Sequence, residues 1–134
     1  MKTMVRRLVL THIPLAALLY LVLFALKSRP GIASNTALLV ALALFEGLFL
    51  LSVWRKKRAG RTLTAPFDIM TIVWILLFFW ELMTSVLNRA HPVLIPAPEN
   101  VFHTFRVQWS VMLQNIASSL QRLVIGFFTG LILA

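Results

Sequence analysis

The stretch Thr36–Trp54 reads TALLVALALFEGLFLLSVW and is followed at once by the basic segment Arg55–Arg61, RKKRAGR. Glu46 is the one charged residue in the stretch. At about 1.5 Å per residue, an α-helix over it is about 28 Å long, close to the thickness of about 30 Å of a bilayer's hydrocarbon core. Because backbone amides in lipid must pair within their own segment, we expect a membrane-spanning α-helix here.

Two further stretches, Leu8–Leu26 and Ile69–Leu87, have the same character, and a fourth apolar run begins near Ser118. All are apolar on every face, whereas the strands of a membrane barrel alternate between apolar and polar residues. We therefore predict an all-α, polytopic transmembrane helix bundle with three full spans, the start of a fourth, and an outer amphipathic helix. Residues 1–61 would form an N-terminal two-span hairpin, and residues 62–134 a second region.

Composition excludes a water-soluble globule and a disordered chain. The 134 residues are 60% hydrophobic and 13% charged, with a mean hydropathy of +0.88, whereas soluble domains are about 45–50% apolar and about 25% charged. The absence of cysteine excludes disulfides, thiolate zinc sites and thiol catalysis. The net charge of +9 could indicate a nucleic-acid partner. The basic residues adjoin apolar runs, however, so we expect contact with the lipid membrane and no nucleic acid.

The basic residues also predict an orientation. Lys2, Arg6 and Arg7 precede the first span, which we interpret as a retained signal anchor rather than a cleaved signal peptide. Placing them in the cytoplasm with Arg55–Arg61 puts eight basic residues inside (three plus five) and four outside (two plus two). The N-terminus is then cytoplasmic, and the 27–35 turn and the 88–117 segment lie outside.

Two acidic residues are predicted at membrane depth. We interpret Glu46 as a neutral carboxyl group bonded to a neighbouring helix; the alternative is a proton or cation site. Glu81 lies about two helical turns from the outer end of the third span. It could form an ion pair with Arg122 in the fourth run, or both side chains could extend to the membrane surface separately.

No pattern indicates an enzyme. His12, His91 and His103 are scattered, with no partner at i+4 and no acidic companion that would suggest a metal site. Trp54 and Trp80 fall towards span ends, where tryptophan anchors helices at the membrane surface. We find no phosphate-binding loop, no paired carboxylates and no nucleophile–base set. We therefore assign no catalytic, cofactor, metal or substrate-binding residue.

The region after the third span has two distinct parts. Pro92, Pro96 and Pro98 exclude regular helix before residue 98. A short amphipathic helix is expected from Pro98, with Glu99 near its positive end. Its apolar residues recur at helical spacing: Val101, Phe102, Phe105, Trp109 and Met112. In the last run, Gly126, Gly130 and Ala134 fall four residues apart and form a small-residue stripe that permits close helix approach.

Three short motifs in this half occur in a recognisable order. They are Trp80-Glu81-Leu82, then Pro96-Ala97-Pro98-Glu99-Asn100-Val101, then Ser119-Leu120-Gln121-Arg122 continuing through Gly126 and Gly130. In this order and spacing, residues 72–134 resemble the beginning of permease subunits of ABC importers of the nitrate, sulfonate and taurine type. Ala97 stands where the family commonly has Ser, and Asn115 where it commonly has His.

The resemblance implies an inner-membrane protein of a prokaryote that imports a small anion or organic solute. Its partners would be a second permease copy, ATP-binding ABC subunits inside and an extracytoplasmic substrate-binding protein. The family's cytoplasmic coupling loop, with an E-A-A-x-x-x-G-like motif, does not occur in these 134 residues. We therefore expect the chain to be the front part of a longer permease. The alternative is a small multi-span scaffold or assembly protein without transport activity.

Overall fold

The computed structural model describes residues 2–60 and 62–133, and every regular element in that range is a helix. Four helices follow one another along the chain: α1 (Lys2–Phe24), α2 (Thr36–Arg58), α3 (Thr64–Glu81) and α4 (Pro98–Leu133). The predicted all-α class is confirmed. Met1, Arg61, Ala134 and the Lys2 side chain lie outside the described part, and so do the roles predicted for them.

Each helix is long and apolar enough to cross a membrane, α3 together with the turn that follows it. The predicted spans are therefore confirmed, with shifted ends: the first candidate span covers Val5–Phe24 and the third covers Thr64–Val86. Large apolar side chains are exposed along all four helices, as a surface in contact with lipid requires.

The last turn of the third span is wider than an α-helix. Leu82–Val86 is a π-helical segment, in which the Leu87 amide donates to the Leu82 carbonyl at 2.9 Å. Asn88 then turns the chain with a positive φ of 47°, a conformation that asparagine tolerates better than most residues. Residues 87–97 contain no regular helix, as the prolines predicted.

Residues 1–103 form one compact unit, and residues 104–134 form another. In the first unit α1 packs mainly against α3. The two helices run in the same direction, since Arg7 reaches Asp68 at one end and Lys27 reaches Glu81 at the other. The core comprises buried residues from α1 (Leu15, Leu18, Val22), α2 (Leu38, Leu42, Phe49, Val53) and α3 (Phe67, Met70, Trp74).

The predicted short outer helix is not separate from the fourth apolar run. The helix begins at Pro98, as expected, but continues without a break to Leu133. Residues 99–125 contain neither glycine nor proline, so nothing in the backbone ends the helix where its composition changes. Within residues 104–133, Gly126 and Gly130 have open space where a Cβ would lie.

Candidate functional site

Four polar side chains from three segments meet at the end of α3. Lys27 follows α1, Glu81 ends α3, Ser85 lies in the π-helical segment and Glu99 is in the first turn of α4. The side chains of both glutamates are fully buried, and that of Lys27 is 18% exposed. Charged groups are almost never buried without partners, so the arrangement of these four (the Lys27 cluster) requires explanation.

Every side chain in the Lys27 cluster has a partner within it. Lys27 Nζ donates to Glu81 Oε1 at 2.6 Å and also to Glu99 Oε1. Ser85 Oγ lies 3.0 Å from Glu81 Oε2 and 2.9 Å from Glu99 Oε2. A hydroxyl group has one hydrogen, so it donates to one carboxyl group and accepts from the other when that group is protonated. With one carboxyl proton, the cluster is electrically neutral and each of these contacts is a hydrogen bond.

The backbone around the cluster is held by the π-helical turn. Both Ser28 N and Arg29 N donate to the Ser85 carbonyl, at 3.1 Å and 3.3 Å. In a π-helical turn the backbone hydrogen bonds join residues five apart instead of four, so the pairing of the carbonyl groups changes. Such turns are frequent at functional sites. Ser85 thus joins the turn after α1 to the end of α3 through its carbonyl, and reaches both glutamates through its hydroxyl.

Arg29 fastens residues 87–97 beside the Lys27 cluster. It is 5% exposed and its guanidinium group has three acceptors. Nε donates to Asn88 Oδ1 at 3.2 Å, Nη1 donates to the Ile95 carbonyl at 3.0 Å, and Nη2 donates to the Ala90 carbonyl. The planar guanidinium presents its donors in a fixed fork and can therefore reach three acceptors that lie apart, whereas the donors of a lysine share one nitrogen atom.

Two further side chains, Trp80 and Asn100, connect segments at the same end of the unit. Trp80 Nε1 donates to the Pro96 carbonyl at 2.9 Å. The Asn100 side chain accepts from the Ala33 amide at 2.7 Å and donates to the Gly31 carbonyl at 3.3 Å. The turn between α1 and α2, the 87–97 segment and the start of α4 are therefore held together by polar contacts.

The expectations for Glu81 are corrected by these contacts. Its carboxylate is fully buried, so it does not extend to the membrane surface. The cation that the structure places beside it is Lys27. The ion pair with Arg122, a residue of the other unit, stays a prediction. Sequence spacing does not show that the turn after α1 folds back onto the end of α3, so it does not identify Lys27 as the partner of Glu81. Ser85 and Glu99 were not identified as its companions either.

The prediction that Glu46 bonds to a neighbouring helix is confirmed, since His12 Nε2 of α1 lies 2.9 Å from Glu46 Oε1. The expectation that His12 has no acidic companion is wrong for the same reason. The signal in the sequence was two ionisable residues in adjacent spans. Over the described residues, no three histidine or acidic side chains lie close enough to hold a metal ion.

The tryptophans divide between surface and interior. Trp54 is half-exposed and the Arg58 guanidinium lies 4.1 Å from its ring centre, a cation–π contact consistent with an anchor at the membrane surface. Trp74 is fully buried, and its indole nitrogen has no hydrogen-bond partner in the described part of the chain.

Comparison of the chain with protein-family models, curated proteins and solved structures gives no match. The Lys27 cluster is the candidate site of the first unit, because it joins four buried or nearly buried polar side chains. Its cation is bonded to its two carboxyl groups, and both carboxyl groups are bonded to Ser85. These ion pairs and hydrogen bonds join the turn after α1, the end of α3 and the start of α4.

Proposed function

We propose that this chain forms the first transmembrane helices of the permease subunit of a binding-protein-dependent ABC importer for a small anion or organic solute. The observation that carries the proposal is the meeting of two motifs. Glu81 of Trp80-Glu81-Leu82 and Glu99 of Pro96–Val101 share both Lys27 and Ser85. A physical contact between two motifs that are separated by the 13 residues 83–95 gives a reason for their occurrence in one order and at one spacing.

In this proposal the Lys27 cluster holds neighbouring segments together while the transporter changes conformation. An importer alternates between two packings of its helices, and such a change moves packed elements as rigid bodies. The cluster and Arg29 would keep the N-terminal hairpin, the 87–97 segment and the start of α4 as one body on the extracytoplasmic side. That side would receive the substrate-binding protein, while ATP-binding subunits and the second permease copy would complete the transporter in the inner membrane of a prokaryote.

The test is purification of the whole protein that contains this chain, from native membranes in mild detergent, through an affinity tag at its N-terminus. We expect an ATP-hydrolysing subunit to co-purify, with hydrolysis stimulated by the substrate-binding protein. A tagged membrane protein of unrelated function, expressed at the same level, is the control. Recovery of the chain in a stable assembly without any ATP-hydrolysing subunit would contradict the proposal and favour a scaffold or assembly protein.

The proposed orientation is tested by cysteine labelling, since the chain has no cysteine of its own. Lys57→Cys lies in the basic last turn of α2 and Val93→Cys lies in the 87–97 segment. In intact cells a membrane-impermeant thiol reagent should label Val93→Cys, and should label Lys57→Cys only after permeabilisation. Leu44→Cys, in the middle of α2, is the control that neither condition labels. The reverse pattern for Lys57→Cys and Val93→Cys would show the N-terminus to be outside.

A further inference from the structure

The first two spans share a hydrogen-bonded pair of ionisable side chains. His12 Nε2 of α1 lies 2.9 Å from Glu46 Oε1 of α2, and the two side chains are 32% and 20% exposed. Glu46 is residue 11 of the 23 in α2 (46 − 36 + 1 = 11), at its middle. Ionisable groups at such depth are costly, so each is expected to be neutral or paired.

Hydrogen-bond accounting determines how many protons the pair holds. His12 Nδ1 lies 2.7 Å from the Leu8 carbonyl, which can only accept, so Nδ1 carries a hydrogen. A hydrogen bond between His12 Nε2 and Glu46 Oε1 then needs a second hydrogen, shared between these two atoms. Either the carboxyl group donates to a neutral imidazole, or an imidazolium donates to a carboxylate. Both arrangements have zero net charge, and both contain one dissociable proton.

We propose that His12 and Glu46 form a proton-binding site within the membrane, and that the bound proton holds α1 and α2 together at this point. Without the proton, two acceptor atoms would face each other across the contact and a negative charge would remain at membrane depth. The site can form in a permease or in a scaffold alike.

A second atom of the pair supports a proton-binding role. Glu46 Oε2 is buried and has no hydrogen-bond partner in the described residues. A second proton on Oε2 would leave the bond from Nε2 to Oε1 intact. Such a second proton would give the pair a net positive charge, so the one-proton state is the neutral state in which the contact is a hydrogen bond.

Among the described contacts, no other ionisable group is bonded to the pair. The helices that pack here carry further ionisable residues along their length: Arg6 and Arg7 on α1, Asp68 on α3, which pairs with Arg7 at 3.4 Å, and Lys56 on α2. The hydroxyl groups of Thr11 and Thr71 are bonded to each other at 2.9 Å. His12 and Glu46 are thus each other's partners for the exchangeable proton.

The test measures thermal unfolding of the detergent-solubilised protein as a function of pH. When the folded state holds a proton that the separated groups release, stability falls as pH rises. For the wild type we expect this fall to begin above about pH 6.5, where a free histidine is neutral, and to reach at most about a tenfold change in the unfolding equilibrium constant per pH unit.

Glu46→Gln is the decisive variant, because its amide can donate to His12 Nε2 without any dissociable proton. It should keep the contact and lose this pH dependence. Glu46→Leu should unfold more readily than Glu46→Gln at every pH, and Asp68→Asn, which removes an exposed carboxylate, should keep the wild-type slope. Equal pH slopes in the wild type and Glu46→Gln would overturn the proposal.

A spectroscopic measurement gives an independent readout. Infrared difference spectra between low and high pH should show imidazole and carboxyl signals that change together in the wild type. Both should be absent from the difference spectrum of Glu46→Gln, while the signals of His91 and His103 remain. A His12 signal that is unchanged by Glu46→Gln would also overturn the proposal.

Discussion

Replacing Lys27 with methionine should destabilise the protein more than any exposed substitution. Lys27 is the cation between two fully buried carboxyl groups, and removing one partner of a buried ion pair costs about 3–5 kcal/mol. The expected result is a large drop in the unfolding temperature of the detergent-solubilised protein, followed through tryptophan fluorescence. Trp80 immediately precedes Glu81 in α3, so its emission should report the loss of the cluster.

Two further variants separate the buried cluster from a general loss of positive charge. Lys56→Met removes a basic residue from the last turn of α2 and should leave the unfolding temperature almost unchanged. Lys27→Met combined with Glu81→Gln should recover part of the lost stability, because one unpaired carboxyl group is removed with its partner. If Lys27→Met and Lys56→Met unfolded at the same temperature, the cluster would have no role in stability.

Replacing Arg29 with alanine should release residues 87–97. The substitution removes hydrogen bonds to Asn88, Ala90 and Ile95, and hydrogen bonds made by charged groups contribute about 1.5–3 kcal/mol each where water cannot replace them. Because part of this segment is exposed, water would satisfy some of the freed carbonyls, so we expect a total cost of about 2–3 kcal/mol. Faster amide exchange and faster proteolysis, confined to residues 87–97, should accompany it.

The matched control is Arg89→Ala, an exposed arginine in the same segment. It should change neither exchange nor proteolysis. Arg29→Lys should fall between the wild type and Arg29→Ala, because an ammonium group cannot reach the three acceptors that the guanidinium fork satisfies. Equal protection of residues 87–97 in Arg29→Ala and in the wild type would show that other contacts hold the segment.

The helices were predictable because lipid allows so few alternatives. A long apolar run must pair its own backbone groups, and an α-helix is the one single-segment structure that does so. The start of α2 at Thr36 was therefore accessible from composition alone, whereas its end was not, because the helix continues beyond Trp54 through the basic residues to Arg58. The start of α4 at Pro98 could also be predicted, since proline at the first position of a helix loses no hydrogen bond.

The ends and continuity of helices were less accessible. The π-helical turn at Leu82–Val86 has no marker such as proline or glycine, and it exists where the turn after α1 needs the Ser85 carbonyl. The boundary predicted inside α4 followed a change in composition, whereas a helix ends only where its backbone is interrupted or where other contacts compete.

The sequence by itself determined that this chain is helical and built to span a membrane, because apolar content and backbone pairing are local properties. It also identified Glu46 as a residue that needs a partner, and left Glu81 between an ion pair and a side chain that extends to the membrane surface. Only the tertiary structure decided which partners they have, His12 and Lys27. A buried charge is neutralised by whichever group the packing of helices and turns brings within hydrogen-bonding distance, and that depends on contacts across 34 and 54 residues of chain.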